Sequence, residues 1–204
     1  SVNTNYQIAP FFAEPFFVVP NFLDHNLRQI LIRKVKKFSK KWEGEGKNVW
    51  ASATKSPSNS FHLDEKFHKV EEFYRLLNLV SDNVQIFGEK LGVTQYEFKC
   101  INAWYNLYTK HQFQEFHAHP NNYFSAIYFC DIPEGSSPII FSDFTKMGTM
   151  LPHMDCTKTP EFFKYTSTIE FESNTLLIFR SHLPHSVPFG KNEEERITFS
   201  FNFT

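Results

Sequence analysis

The most constraining stretch of the chain is its last one. In Arg196-Ile197-Thr198-Phe199-Ser200-Phe201-Asn202-Phe203, apolar and polar residues alternate without a break. A strand sends successive side chains to opposite faces, so Ile197, Phe199, Phe201 and Phe203 share one face, and Arg196, Thr198, Ser200 and Asn202 share the other. Two arrangements satisfy this pattern. Either the aromatic face is core and the polar face is wet, or the aromatic face lies under helices and the polar face lines an internal site. In the second arrangement, a polar interior with a single Arg suits an anion.

Upstream, the pattern changes period at Gly92. Before it, Asp24 can cap a helix in which Leu27, Ile30, Leu31, Val35 and Phe38 fall at helical spacing, with Arg33, Lys34, Lys36, Lys37, Lys40 and Lys41 on other faces. This is a basic amphipathic helix, read as a solvated outer face on a core-packed element. Residues 43–60, rich in Gly, Ser, Asn and Lys, read as a loop in which Trp50 is either an anchor, the reading preferred, or a substrate contact. A second helix is expected from about Asp64, with Phe67, Val70, Tyr74 and Leu77 on one face, and a third from about Ser81 to Gly92. After Gly92 come short Phe-, Tyr-, Ile- and Thr-rich segments at 94–108, 113–119, 123–131, 137–142, 165–172, 175–180 and 194–203, separated by turn residues. That spacing points to a mainly β sandwich, jelly roll or barrel with helices on one side. A single domain over 1–204 is expected, with 1–93 as mainly helical support and 94–204 as the β core.

Composition excludes several function classes. With 21 Lys+Arg against 22 Asp+Glu the chain has no global basic field, so nucleic-acid binding is not expected. Its 25 Phe rule out a disordered chain. Three scattered cysteines, Cys100, Cys130 and Cys156, give no disulfide framework, which favours a reducing compartment. Residues 1–20 contain no Lys or Arg, and Pro10, Glu14, Pro15 and Pro20 interrupt their apolar runs, so no secretory signal is expected. No run reaches the ~18 apolar residues of a membrane span. The expected setting is cytoplasmic, or the host cytoplasm if the source is viral.

Two of the nine histidines share a strand face: His117 and His119, about 6–7 Å apart along the backbone. Two imidazoles on one face can converge on one Fe, Zn, Cu or Ni ion. His185, after the apolar strand 175–180, can join them across a barrel mouth as a third facial ligand. His182 competes for that place and reads as an exposed turn residue. Residues 144–163, with Met147, Met150, Met154, His153 and Cys156, form a long connection that is read either as an adaptable apolar lid or as an ordinary loop.

Three stretches, taken together and in order, resemble the 2-oxoglutarate and Fe(II)-dependent oxygenases of bacteria and their viruses, relatives of the prolyl hydroxylases. They are Ala103-Trp104-Tyr105-Asn106 with His117-Ala118-His119-Pro120 and Ser125-Ala126-Ile127-Tyr128-Phe129; Leu177-Ile178-Phe179-Arg180-Ser181 leading to His185-Ser186-Val187; and Glu195 through Asn202. The resemblance covers about residues 100–203. It implies a double-stranded β-helix, cupin-like, with Fe(II) held by His117, His119 and His185. In the wider superfamily the second ligand is a carboxylate two residues after the first His, where this chain has His119. A third neutral ligand leaves Fe(II) at its full charge, which dianionic 2-oxoglutarate would neutralise. Glu115, two residues before His117, is the alternative carboxylate.

Arg196 and Thr198 match the family's Arg-x-Ser/Thr pair for the distal carboxylate of 2-oxoglutarate, and a guanidinium fork with a hydroxyl beside it suits that group. Asn102, Asn106 and Ser125 are further candidates for hydrogen bonds to the cosubstrate. Phe129 stands where relatives often carry a Tyr that contacts it. The implied reaction consumes O2 and 2-oxoglutarate, releases succinate and CO2, and hydroxylates an unidentified primary substrate, a prolyl residue of a peptide or a small molecule. Two other readings stay open: a three-His cupin-like dioxygenase that does not use 2-oxoglutarate, and a non-catalytic jelly-roll binding module. A buried Arg196 near the metal favours 2-oxoglutarate; a surface ion pair with Glu193 to Glu195 favours the cupin-like enzyme.

Overall fold

The structure, a computed structural model, describes residues 13–41, 69–145 and 165–204. Trp50 with its loop, residues 64–68, Met147, Met150, His153, Met154 and Cys156 lie outside them. In chain order the elements are β1 (Phe16–Val19), α1 (His25–Lys41), α2 (Glu71–Lys90), β2 (Cys100–Tyr108), β3 (Gln114–His117), β4 (Phe124–Asp131), β5 (Ile139–Ser142), β6 (Thr166–Ile169), β7 (Thr175–Arg180), β8 (His185–Val187) and β9 (Arg196–Phe203). The strands form two antiparallel sheets, β1-β7-β4-β9-β2 and β3-β8-β5-β6. Two such antiparallel sheets packed face to face are a jelly roll, the fold expected from the sequence.

α1 begins where its sequence calls for a cap: the Asp24 carboxylate accepts the Leu27 N–H at 2.9 Å. Leu27, Leu31, Ile32 and Val35 are buried, while Arg33 and Lys37 are exposed and Lys34 pairs with Glu72 of α2. The expected break at Ser81 is absent. Residues 71–90 are one helix, in which the Ser81 hydroxyl donates to the Leu77 carbonyl at 2.8 Å instead of capping a new one. The apolar stripe Phe73, Leu76, Leu77, Val80, Val84, Phe87 runs straight through that position, and Tyr74, expected on the buried face, is 46% exposed. At the far end Val93 N–H bonds to Gly88 O and Gly92 N–H to Glu89 O, with Gly92 at φ +86°, the left-handed geometry that ends helices at glycine.

Both helices pack on the larger sheet. Leu31, Val35, Phe73, Leu76 and Phe87 meet Ala103, Tyr105 and Leu107 of β2, Tyr128 of β4, Ile178 of β7 and all four apolar residues of β9 in one buried cluster. The Phe73 ring lies 5.4 Å from that of Phe199. Each fully buried aromatic here is worth roughly 1.5–3 kcal/mol, which fixes the face of β9 and therefore its register. A second cluster, with Ile127, Phe129, Leu177 and Phe179 from the larger sheet and Ile139 and Phe141 from the smaller, fills the space between the sheets. The polar face of β9 is also inside: Arg196, Thr198, Ser200 and Asn202 are all buried. The choice left open by alternation is thereby resolved in favour of an internal polar wall.

Two strands were not legible in the sequence. β1 lies in what reads as an extended lead, and β8 has only three residues, too few to show a period. β2 starts at Cys100 rather than near 94, after a segment in which Gln95 takes φ +62°. No helix among the described residues is long and apolar enough to cross a membrane.

Candidate functional site

β3 and β8 lie side by side at the edge of the smaller sheet with His117 directly opposite His185. Their ring centroids are 4.3 Å apart. His119 follows β3 by two residues, and its own N–H donates to the Ser181 carbonyl at 3.0 Å, which turns its ring onto the pair. The His119 and His185 rings stack at 5.1 Å with 8° between planes, and their Nε2 atoms are 3.3 Å apart. One possible ligand atom from each of the three histidines lies within 4.8 Å of the others. Glu115 is not part of that group. His182 is not either: its side chain is 63% exposed, with Nε2 3.7 Å from Glu14.

Hydrogen bonds fix which nitrogen two of the rings present. His117 Nδ1 is 2.7 Å from the Glu115 carbonyl, and His185 Nδ1 is 3.1 Å from the Leu183 carbonyl. A carbonyl only accepts, so both Nδ1 atoms carry the proton and both Nε2 atoms are bare. Burial holds all three rings neutral. Desolvation lowers the pKa of His117, lowers that of His119 to about 3 with His117 contributing, and pushes that of His185 well below the ordinary imidazole value. Trp104 of β2 stacks on His119 at 5.9 Å, and Phe141 and Phe179 stand against His185 at 5.6 and 5.0 Å. Neutral imidazoles, each with one ring nitrogen free of a proton, converging in an apolar collar are a donor set for a transition metal ion.

The second part of the site lies on the inward face of β9. Arg196 is 2% exposed, and its Nε and Nη1 have no hydrogen-bond partner. The guanidinium lies between two aromatic rings, 4.9 Å from the centre of Tyr108 and 5.8 Å from that of Phe129, with the Tyr108 phenol near enough to interact with it. Burial draws the Arg196 pKa down, yet a guanidinium stays protonated in proteins. Among the described residues no carboxylate pairs with it; Glu193, a candidate surface partner, is taken by Lys110. A buried cation with two donor nitrogens unpartnered is costly unless an anion arrives.

Between the two parts, the polar side chains differ in how they are occupied. Asn106 of β2, in register with Thr198, points its amide at the Thr198 and Ser200 hydroxyls at 3.4 and 3.2 Å. Ser125 of β4 is engaged elsewhere: its hydroxyl is 2.8 Å from that of Ser181 and donates to Asn202 Oδ1 at 2.9 Å. Asn102 is half-buried on the strand opposite Asn202. Tyr108 and Trp104 are the residues that reading the sequence left without a role. Both sit on the face of β2 that carries Asn102 and Asn106, so the same alternation picks them out.

Comparison with known proteins places this arrangement. Residues 102–202 match the family model described as "Putative 2OG-Fe(II) oxygenase". Among solved structures, the chain is similar to a prolyl-4-hydroxylase from Pseudomonas putida, at TM-score 0.59 and 14% identity over 93% of this chain and 92% of that one. It is similar to HygX from Streptomyces hygroscopicus, solved with nickel and 2-oxoglutarate bound, at TM-score 0.59 and 11% identity over 93% and 82% of the chains. It is also similar to the viral collagen prolyl hydroxylase vCPH from Paramecium Bursaria Chlorella virus-1, at TM-score 0.54 and 11% identity over 92% and 94%. No curated protein matches the chain in sequence.

Proposed function

The chain belongs, through residues 102–202, to the 2OG-Fe(II) oxygenase family, and from that premise we propose that His117, His119 and His185 hold Fe(II) while Arg196 and Thr198 take the distal carboxylate of 2-oxoglutarate. The observation that carries this reading is Arg196. It is desolvated with Nε and Nη1 unpartnered, and each donor edge of a guanidinium, Nε with Nη2 or Nη1 with Nη2, suits a planar carboxylate. The same burial disfavours the cupin-like alternative, which called for Arg196 at the surface beside Glu193. The three histidines fit the metal on their own chemistry: all are neutral, and His117 and His185 present Nε2 because backbone carbonyls hold their Nδ1 protons.

Bound Fe(II), with 2-oxoglutarate and O2, supplies the oxidising power that yields succinate and CO2 and hydroxylates a substrate carbon. The chain's own residues orient and shield. Tyr108 and Phe129 clamp the guanidinium in plane, Asn106 aligns the Thr198 hydroxyl, and Phe141, Phe179 and Trp104 keep water from the imidazoles. The prolyl hydroxylases among the similar structures make peptidyl proline the first primary substrate to test and a small molecule the second. The two described cysteines, Cys100 and Cys130, are unpaired thiols, in keeping with a cytoplasmic setting, and no nucleic acid is invoked. Residues 1–204 act as one domain, the helices of its first half serving as support.

Anaerobic titration of Fe(II)-loaded protein with 2-oxoglutarate tests the reading. A visible metal-to-ligand charge-transfer band is expected, and its absence from the native protein overturns the proposal. Fe(II) binding should disappear in His185→Ala and persist in His182→Ala.

A further inference from the structure

Ser181 continues the inward face of β7 after Leu177 and Phe179 and is fully buried. Each of its polar groups is spent on a different part of the site. Its N–H donates to the Tyr123 carbonyl at 3.0 Å, and its own carbonyl receives the His119 N–H at 3.0 Å. Its hydroxyl is 2.8 Å from that of Ser125, which in turn donates to Asn202 Oδ1 at 2.9 Å. Because the single Ser125 proton goes to Asn202, the Ser181 hydroxyl is the donor to Ser125, and a directed chain runs Ser181 to Ser125 to Asn202.

The turn that Ser181 opens leads to the other histidine. Leu183 N–H closes it onto the Arg180 carbonyl at 3.1 Å, and the Leu183 carbonyl then receives His185 Nδ1. On the outer side, both oxygens of Glu14 grip Arg180, at 2.8 Å from Nε and 2.6 Å from Nη2. One residue is thus tied directly to the backbone of His119 and, through a four-residue turn, to the ring of His185, and it is moored to β4 and β9 by its hydroxyl.

We propose that Ser181, anchored through Ser125 to Asn202, is the positioning residue that fixes the distance between His119 and His185. This rests on the reading that the histidines hold a metal, and it reassigns Ser125 from cosubstrate contact to mooring. The two hydroxyls act as one chain, so losing either frees the turn to the same degree. Partners that orient metal ligands typically affect metal affinity about 10- to 100-fold.

Co(II) alone is the probe, titrated into metal-free protein well below its unfolding temperature, with affinity and the visible d–d spectrum as readouts. Ser181→Ala and Ser125→Ala are each expected to weaken Co(II) binding about 10- to 100-fold and to alter the spectrum at saturation. The double variant should be no weaker than the worse single one. Ser125→Thr, which keeps the hydroxyl, should restore parental affinity and spectrum. Alanine variants that melt earlier but bind Co(II) with parental affinity and spectrum would show a merely structural role and overturn the proposal, as would additive losses in the double variant. If the native protein itself binds no Co(II), the metal reading falls first, an outcome distinct from native binding with unaffected variants.

Discussion

At one end of the inward face of β9, Asn202 accepts from Ser125, which accepts from Ser181; at the other end, Arg196 keeps Nε and Nη1 without a partner. The two ends are equally buried and belong to one strand. Their difference separates two uses of an interior polar group. A satisfied network holds the protein to itself, whereas an unsatisfied one is held open for something else, at a cost in stability that the ligand removes. The middle of the strand, where Asn106 meets Thr198 and Ser200, lies between these cases.

The largest effect should come from the unsatisfied end. Arg196→Met removes the cation and fills much of its volume. Truncating one partner of a desolvated charge pair costs about 2–5 kcal/mol, so 2-oxoglutarate affinity should fall roughly 30- to several thousand-fold. The unliganded protein should not be destabilised, because an unpaired buried charge has gone. Titration calorimetry on Fe(II)-loaded protein and urea unfolding of the unliganded form check the two halves. Retained affinity would break the assignment of Arg196 to a carboxylate, and a large loss of unliganded stability would make Arg196 structural, erasing the contrast with Asn202.

The histidine cluster supplies the next effect, through protons. Burial lowers the pKa of His117, His119 and His185 in the folded chain, while in the unfolded chain they titrate near 6.5. The unfolded state therefore binds more protons below that pH. Full stability is present above about 6.5 and is lost progressively as pH falls, for His119 down to its folded value of about 3. Each excluded proton contributes up to about 1.4 kcal/mol per pH unit. Urea unfolding of metal-free protein between pH 7 and 5 should show this slope. Arg196 does not titrate there, and Glu72, whose carboxyl is held low by Lys34, acts only in more acid solution, so a flat profile would mean that the histidines are hydrated.

These regions were unequally legible. The alternation of residues 196–203 is strong because four apolar side chains must share a face, and a strand of eight residues cannot hide its period. His117 and His119 are adjacent enough to be paired by spacing alone. By contrast, nothing local distinguishes Ser125 from Asn106: both are small polar residues on an inward face, and only the partner across the sheet says which is moored. Ser81 misleads for a similar reason, since a serine hydroxyl can cap a helix or bond back to the carbonyl four residues earlier, and the uninterrupted stripe from Leu77 to Val84 decides. Likewise, the role of β8 depends on pairing with β3 and β5, which a three-residue segment cannot announce.

The same dependence on partners explains Tyr108 and sets the smallest effect. Phe129 lacks the hydroxyl that relatives often place at its position, and its ring faces Arg196 with no polar atom to offer. Tyr108, from the opposite flank and in register with Arg196, brings a phenol to the same guanidinium. Its oxygen can accept from Arg196 while its proton points to an arriving carboxylate, so it sharpens the unsatisfied end without filling it. One neutral hydrogen bond is worth about 0.5–1.5 kcal/mol. Tyr108→Phe should therefore weaken 2-oxoglutarate roughly 2- to 12-fold, leaving Co(II) affinity unchanged, whereas the double variant Tyr108→Phe, Phe129→Tyr should regain part of the loss. A Tyr108→Phe protein with parental 2-oxoglutarate affinity would mean that the phenol serves only to hold Arg196 in place, and Tyr108 would then belong with Asn202 on the satisfied side of the comparison.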